Sequence, residues 1–178
     1  MRFYGPRVDL DTEPRLDVAD RMRGAFRRYP TGVAVITAAG PDGPAGLTAS
    51  SVASVAVDPP ALSFSVLGTR SARALLDSPS LVVHLLGARH AGLAREFAHT
   101  AGDRFTPAQG WRTLPTGEPI LPDAVAALRC APMHRLPVGG STLVVATVLE
   151  VFHGPDDDPL IHHAREFTTL ARDTRGVR

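Results

Sequence analysis

Glycine and proline punctuate this chain so often that its apolar residues can form only short runs. The 178 residues include 16 glycines and 16 prolines, and between them lie β-branched or apolar runs at 33–37, 47–57, 61–67, 81–86, 128–136, 142–152 and 160–163. The breaks carry turn chemistry: AAGPDGPAG, Asp58-Pro59-Pro60, Ser78-Pro79 and GPDDDP. Leu62, Phe64 and Val66 alternate, which predicts a strand with one buried face, and 81–86 reads as a central strand. Many short strands with sparse helices predict a mainly β fold, a closed barrel rather than a layered α/β sheet.

Three helices punctuate the strands. Asp17 is placed to cap the first, whose apolar positions Val18, Met22, Phe26 and Tyr29 recur every three or four residues up to Pro30. The second runs over 71–77, and Leu93 and Phe97 mark the third. Residues 99–122 show no clear period, and Trp111 is their expected anchor to the core. Residues 1–16 read as an irregular arm and 17–178 as a single domain.

Composition removes several classes of function. All nineteen Lys+Arg residues are arginine, so neither a lysine Schiff base nor a P-loop lysine is available. The glycines of GPDGPAG fall three apart, which is not the dinucleotide-binding fingerprint. Cys130 stands alone and reads as a buried strand thiol, and the seven histidines show no ligand spacing, so no metal site is expected. A net charge of +1 argues against nucleic acid, with Arg21, Arg23, Arg27 and Arg28 read as a solvated helix face. With no apolar span or signal segment, the expected location is the cytoplasm.

Two segments carry candidate binding chemistry. In Gly46-Leu47-Thr48-Ala49-Ser50-Ser51-Val52-Ala53-Ser54, small and hydroxyl residues stand where a sheet has bulky ones. Such a strand admits either a flat ligand, with Thr48, Ser50 and Ser51 as donors, or a tight contact with a helix. Thr69-Arg70-Ser71 combines hydroxyls, a guanidinium and helix N-terminal amides. That combination suits a phosphate, or equally a simple N-cap beside a surface arginine.

PTGVAVIT at 30–37, GLTASSVASVAVDPPALSFSV at 46–66, TRSARALL at 69–76, LAREFA at 93–98 and DRF at 103–105 together resemble the flavin reductase family. The resemblance extends from about Phe26 to Leu170. It implies a six-stranded antiparallel Greek-key split β-barrel that forms a homodimer and holds FMN, or FAD, at the subunit interface. Carried over by position, it implies flavin contacts at Thr31, at Thr48, Ala49, Ser50, Ser51 and Val52, and at Thr69, Arg70 and Ser71, with Phe97 and Phe105 walling the ring.

The implied activity is NADH- or NADPH-dependent flavin reduction that supplies a partner flavin-dependent monooxygenase. One place departs from the family: Gly139-Gly140-Ser141 stands where many members carry Gly-Asp-His, whose histidine helps to hold the nicotinamide cofactor. Ser141 and His163 are therefore the nicotinamide-side candidates, the latter because LIHHAREF keeps only the histidine of a Tyr-His-Arg-Gly pattern. The departure keeps two rivals open: an oxidoreductase with a tightly held FMN and a non-nicotinamide substrate, and a non-catalytic barrel binding flavin or haem.

Overall fold

The computed structural model describes residues 17–99 and 104–170. The expected arm at 1–16, Asp103 of the DRF motif and the last eight residues of the expected domain lie outside them. In chain order the elements are α1 (Val18–Arg27), β1 (Thr31–Gly32), β2 (Ala34–Gly40), β3 (Gly43–Ala49), β4 (Ala53–Val57), β5 (Pro60–Leu67), α2 (Arg70–Asp77), β6 (Leu81–Leu85) and α3 (Ala91–Ala98). They continue with β7 (Arg112–Thr113), β8 (Pro119–Ile120), β9 (Ala126–Val138), β10 (Ser141–His153), β11 (Leu160–His163) and β12 (Glu166–Thr169).

The principal sheet is antiparallel, with strand order β3-β2-β6-β9-β10-β5-β4. Its two edges, β3 and β4, are consecutive in the chain and separated only by residues 50–52. That link spans at most about 14 Å when extended, so the sheet has to curl until its edges approach. Among the described residues no ladder joins β3 to β4. The curled sheet encloses a core in which Ile36, Phe64, Leu75, Leu81, Val83 and Val144 are buried, and β6 is an interior strand, paired on both sides by β2 and β9.

Leu62, Phe64 and Val66 face inward as their alternation requires. Cys130 is fully buried, and burial pushes its thiol up to about 12, which makes it an inert core side chain. A second core lies under α3, where Val35, Leu86, Phe97, Leu121 and Leu160 meet. Trp111 anchors the aperiodic stretch there, with its ring 5.3 Å from His84 and 5.4 Å from Phe97.

Two expectations are corrected, and one face is left open. The run 47–57 is not one strand: it is divided at 50–52 into strands on opposite edges of the sheet, because nothing in a small-residue run marks where the ladder stops. Asp17 precedes α1, yet its side chain makes no capping hydrogen bond. The apolar stripe of α1 is uncovered, Val18 being 77% and Phe26 63% exposed; amphipathic spacing defines a face without naming what covers it. No helix among the described residues is long and apolar enough to cross a membrane.

Candidate functional site

At the split between the sheet edges, the backbone of residues 50–52 runs outside any ladder. It forms one wall of an open cavity of about 1020 Å³, which Thr31, Ser50, Ser51, Val52, His162 and Arg165 help to line. Thr31 is held there by β1, which pairs with β11 so that Thr31 stands opposite His162. Ser51 secures the link: its hydroxyl donates to the Ser65 carbonyl (3.1 Å) and accepts from the Ser65 amide (2.9 Å), tying the link to β5 just beyond the Ala53–Ser63 pair.

The two halves of the small-residue run differ in what they touch. The Thr48 hydroxyl donates to the Ala94 carbonyl of α3 at 2.7 Å, and Ala49 is buried, so this half makes the tight sheet–helix contact. Of the run, Ser50, Ser51, Val52 and Ala53 reach the cavity.

At the start of α2 the Thr69 hydroxyl accepts from the Ala72 amide at 3.2 Å. Helix geometry leaves the amides of Arg70 and Ser71 as open donors. Arg70, Ser71, Arg73, Arg104 and Phe105 line a second cavity of about 580 Å³, where four arginine and hydroxyl side chains surround those amides. The second cavity runs along β3, on which α2 packs, and the first begins at the link that follows β3.

Arg104 sits inside the quoted DRF motif, but its role was invisible in the sequence. Its guanidinium donates to the Gly46 carbonyl (2.8 Å), the Ser71 hydroxyl (3.1 Å) and the His99 carbonyl, and it stacks on the Phe97 ring at 5.6 Å. The charge therefore orients Ser71 as an acceptor from arginine whose own proton remains available to a ligand oxygen.

Phe97 is 1% exposed, a core side chain rather than a wall of an open groove. Its ring lies so close to β3 that a Cβ on Gly46 would approach it to 2.7 Å. Phe105 does line the second cavity and meets Phe97 edge to face at 5.1 Å, from a backbone with φ of +60°.

Ser141 opens β10 opposite Leu67, after a tight turn in which Gly139 takes φ of +57°. The neighbouring Gly140 carbonyl accepts from the Gly68 amide at 3.2 Å, so this departure lies beside the approach to α2. His163 is exposed and faces away, opposite Glu166 on β12. His162 lines the large cavity instead, because successive side chains of a strand point to opposite sides. The sequence offers two adjacent histidines and no means of choosing between them.

These features agree with the comparisons. Residues 26–171 match the flavin reductase like domain, and the chain belongs to that family. It is 40% identical over 154 residues to an NADH:FMN oxidoreductase of Rhodococcus qingshengii, covering 84% of this chain and 80% of that one. The NADH:FAD oxidoreductase SgcE6 of Streptomyces globisporus C-1027, solved with NAD and FAD fragments, superposes with a TM-score of 0.81 at 30% identity, covering 91% and 99% of the two chains. The styrene monooxygenase flavin reductase of Pseudomonas putida S12 does so at 0.76 and 27%, covering 85% and 97%.

Proposed function

We propose that this protein is an NADH-dependent flavin reductase, acting on FMN or FAD and supplying the reduced flavin to a separate monooxygenase. The observation that carries the reading is the unladdered link at 50–52, which offers open backbone donors and small side chains to a cavity of about 1020 Å³. The residues fit the flavin: Ser50, Ser51 and Val52 with Thr31 would receive the ring, and the α2 amides with Arg70, Ser71 and Arg104 would neutralise the phosphate. Flavin supplies the redox chemistry when bound, accepting a hydride from the nicotinamide and carrying it away.

The chain's own residues orient the two rings against each other and neutralise phosphate charge, so no acid–base dyad is needed. The His162 imidazole, at the same cavity as Thr31, is a better placed polar contact for a nicotinamide than His163. Ser141 offers only a hydroxyl where the family carries a histidine, which favours as second reading a tightly held flavin with another substrate. The reading extends to a cytoplasmic protein, where NADH is plentiful, and to a homodimer. Exposed Val55, Val57, Met133, Leu136, Val138 and Leu149 on β4, β9 and β10 support the dimer.

Steady-state oxidation of NADH by the purified protein with added FMN or FAD tests the proposal. Turnover with free flavin as second substrate is expected; a protein that retains FMN and ignores NADH would transfer the case to the second reading. Sedimentation at micromolar concentration is expected to give a dimer.

A further inference from the structure

The hairpin between β11 and β12 turns through Ala164 and Arg165, whose φ angles are +52° and +71°. A two-residue turn with both central residues in the left-handed region is ordinarily built from Asn-Gly. A side chain at the second position is strained by roughly 1 kcal/mol. Arg165 occupies that position, and its placement is reinforced rather than relaxed: the Ala164 amide donates to the Arg27 carbonyl at 3.1 Å, docking the turn on the end of α1.

The turn puts Arg165 at the boundary of two cavities. One is the large cavity of Thr31 and Ser50; the other, of about 530 Å³, is lined by Arg95, His99, Glu166 and Phe167, and both are lined by His162 and Arg165. His162 and Arg165 therefore stand where the two cavities adjoin. The charge there is unbalanced. Asp20 is taken up by Arg23, and Arg95 lies over the Phe167 ring at 5.5 Å, whereas among the described residues no carboxylate pairs with Arg27 or Arg165. Unpaired guanidinium groups beside a ring-binding cavity are suited to a phosphate diester.

We propose that Arg165, supported by Arg27, binds the pyrophosphate of the nicotinamide dinucleotide and anchors the co-substrate at the cavity that His162 also lines. The inference rests on the flavin reductase reading. It makes Arg165 a specificity residue, favouring hydride donors that carry phosphates over those that do not.

Arg165→Gly is the informative variant, since glycine suits φ of +71° and the turn should survive. The KM for NADH is expected to rise about tenfold with kcat little changed, the pattern of lost uniform binding. ADP-ribose, titrated calorimetrically without any turnover, should weaken by a similar factor. The KM for 1-benzyl-1,4-dihydronicotinamide, which has no phosphate, should not move, and Arg165→Lys should keep most of the NADH affinity. Unchanged NADH and ADP-ribose affinities in Arg165→Gly overturn the proposal, as do equal losses for both hydride donors, which would make the arginine a structural part of the turn. If the wild-type protein neither binds ADP-ribose nor oxidises NADH, the reductase reading itself falls; wild-type binding that survives in Arg165→Gly removes only the inference about Arg165.

Discussion

Two charged regions of this molecule obey opposite rules. On the β6–β9 side, Glu118 is 1% exposed and saturated: the Ser80 and Thr116 hydroxyls donate to it, as does Arg129 Nε at 2.8 Å, and Arg129 in turn donates to Glu150 at 3.2 Å. These hydrogen bonds outweigh the desolvation that acts the other way and hold the carboxyl down to about 2. At the open edges of the sheet, among the described residues, no carboxylate pairs with Arg27, Arg70 or Arg165, and the first two amides of α2 have no intrahelical acceptor. A buried charge persists only when its lone pairs are filled. Open donors are tolerated at the groove because water, or a ligand, completes them. The first region therefore holds the fold and the second leaves capacity for binding.

The contrast can be broken at its saturated side with the largest effect. Glu118→Ala strands Arg129, Ser80 and Thr116 together, and denaturant unfolding should show a loss of about 3–5 kcal/mol, with FMN affinity unchanged wherever the variant is folded. A small loss would mean that the cluster is more solvated than its burial indicates.

On the open side, Ser50→Leu fills the cavity where the link carries only small side chains. FMN binding should weaken at least tenfold, or about 1.4 kcal/mol, while the melting temperature stays near that of the parent. An unchanged titration would remove the 50–52 link from the site.

A pH titration separates the regions again. His84 is fully buried, with one ring nitrogen 2.9 Å from the Val35 carbonyl and the other without a partner, and burial lowers it from 6.5 to about 4. The unfolded chain thus takes up this proton at higher pH than the folded one. The stability contributed by neutral His84 is full above pH 6.5 and is lost as pH falls toward 4, with a slope approaching about 1.4 kcal/mol per pH unit. Glu118 adds a second loss between pH 4.5 and about 2, since its folded value is also depressed. Unfolding free energies measured from pH 7 to 4 should fall in the wild type and flatten in His84→Gln.

Smaller effects sharpen the open side. Arg70→Ala should weaken FMN several-fold and leave riboflavin, which lacks the phosphate, unaffected; equal losses would reassign the arginine. Ser141→His should lower the KM for NADH a few-fold without altering FMN affinity.

Much of the fold was legible in the order of the residues. Turn chemistry located nearly every long strand, the alternation of Leu62, Phe64 and Val66 identified the inward face, and the apolar run at 81–86 located an interior strand. These are local properties: period two and backbone sterics act within a few residues. The motifs at 30–37, 46–66 and 69–76 likewise carried the family, and they marked Thr31, Ser50 and Arg70 before any coordinates.

What the sequence could not determine depends on which distant elements meet. The pairing of β3 with β2 and of β4 with β5 divided the run 47–57, sending Thr48 to a helix and Ser50 to a cavity. The pairing of β1 with β11 decided that His162, not His163, faces the groove, because alternation sets the difference between neighbours but not which of them points to the site. Arg104, Glu118 and Arg165 acquired their roles only through contacts or cavities made by other elements. A charge in a sequence has no environment until the fold supplies one, and here the fold filled one such environment with hydrogen bonds and left the other open.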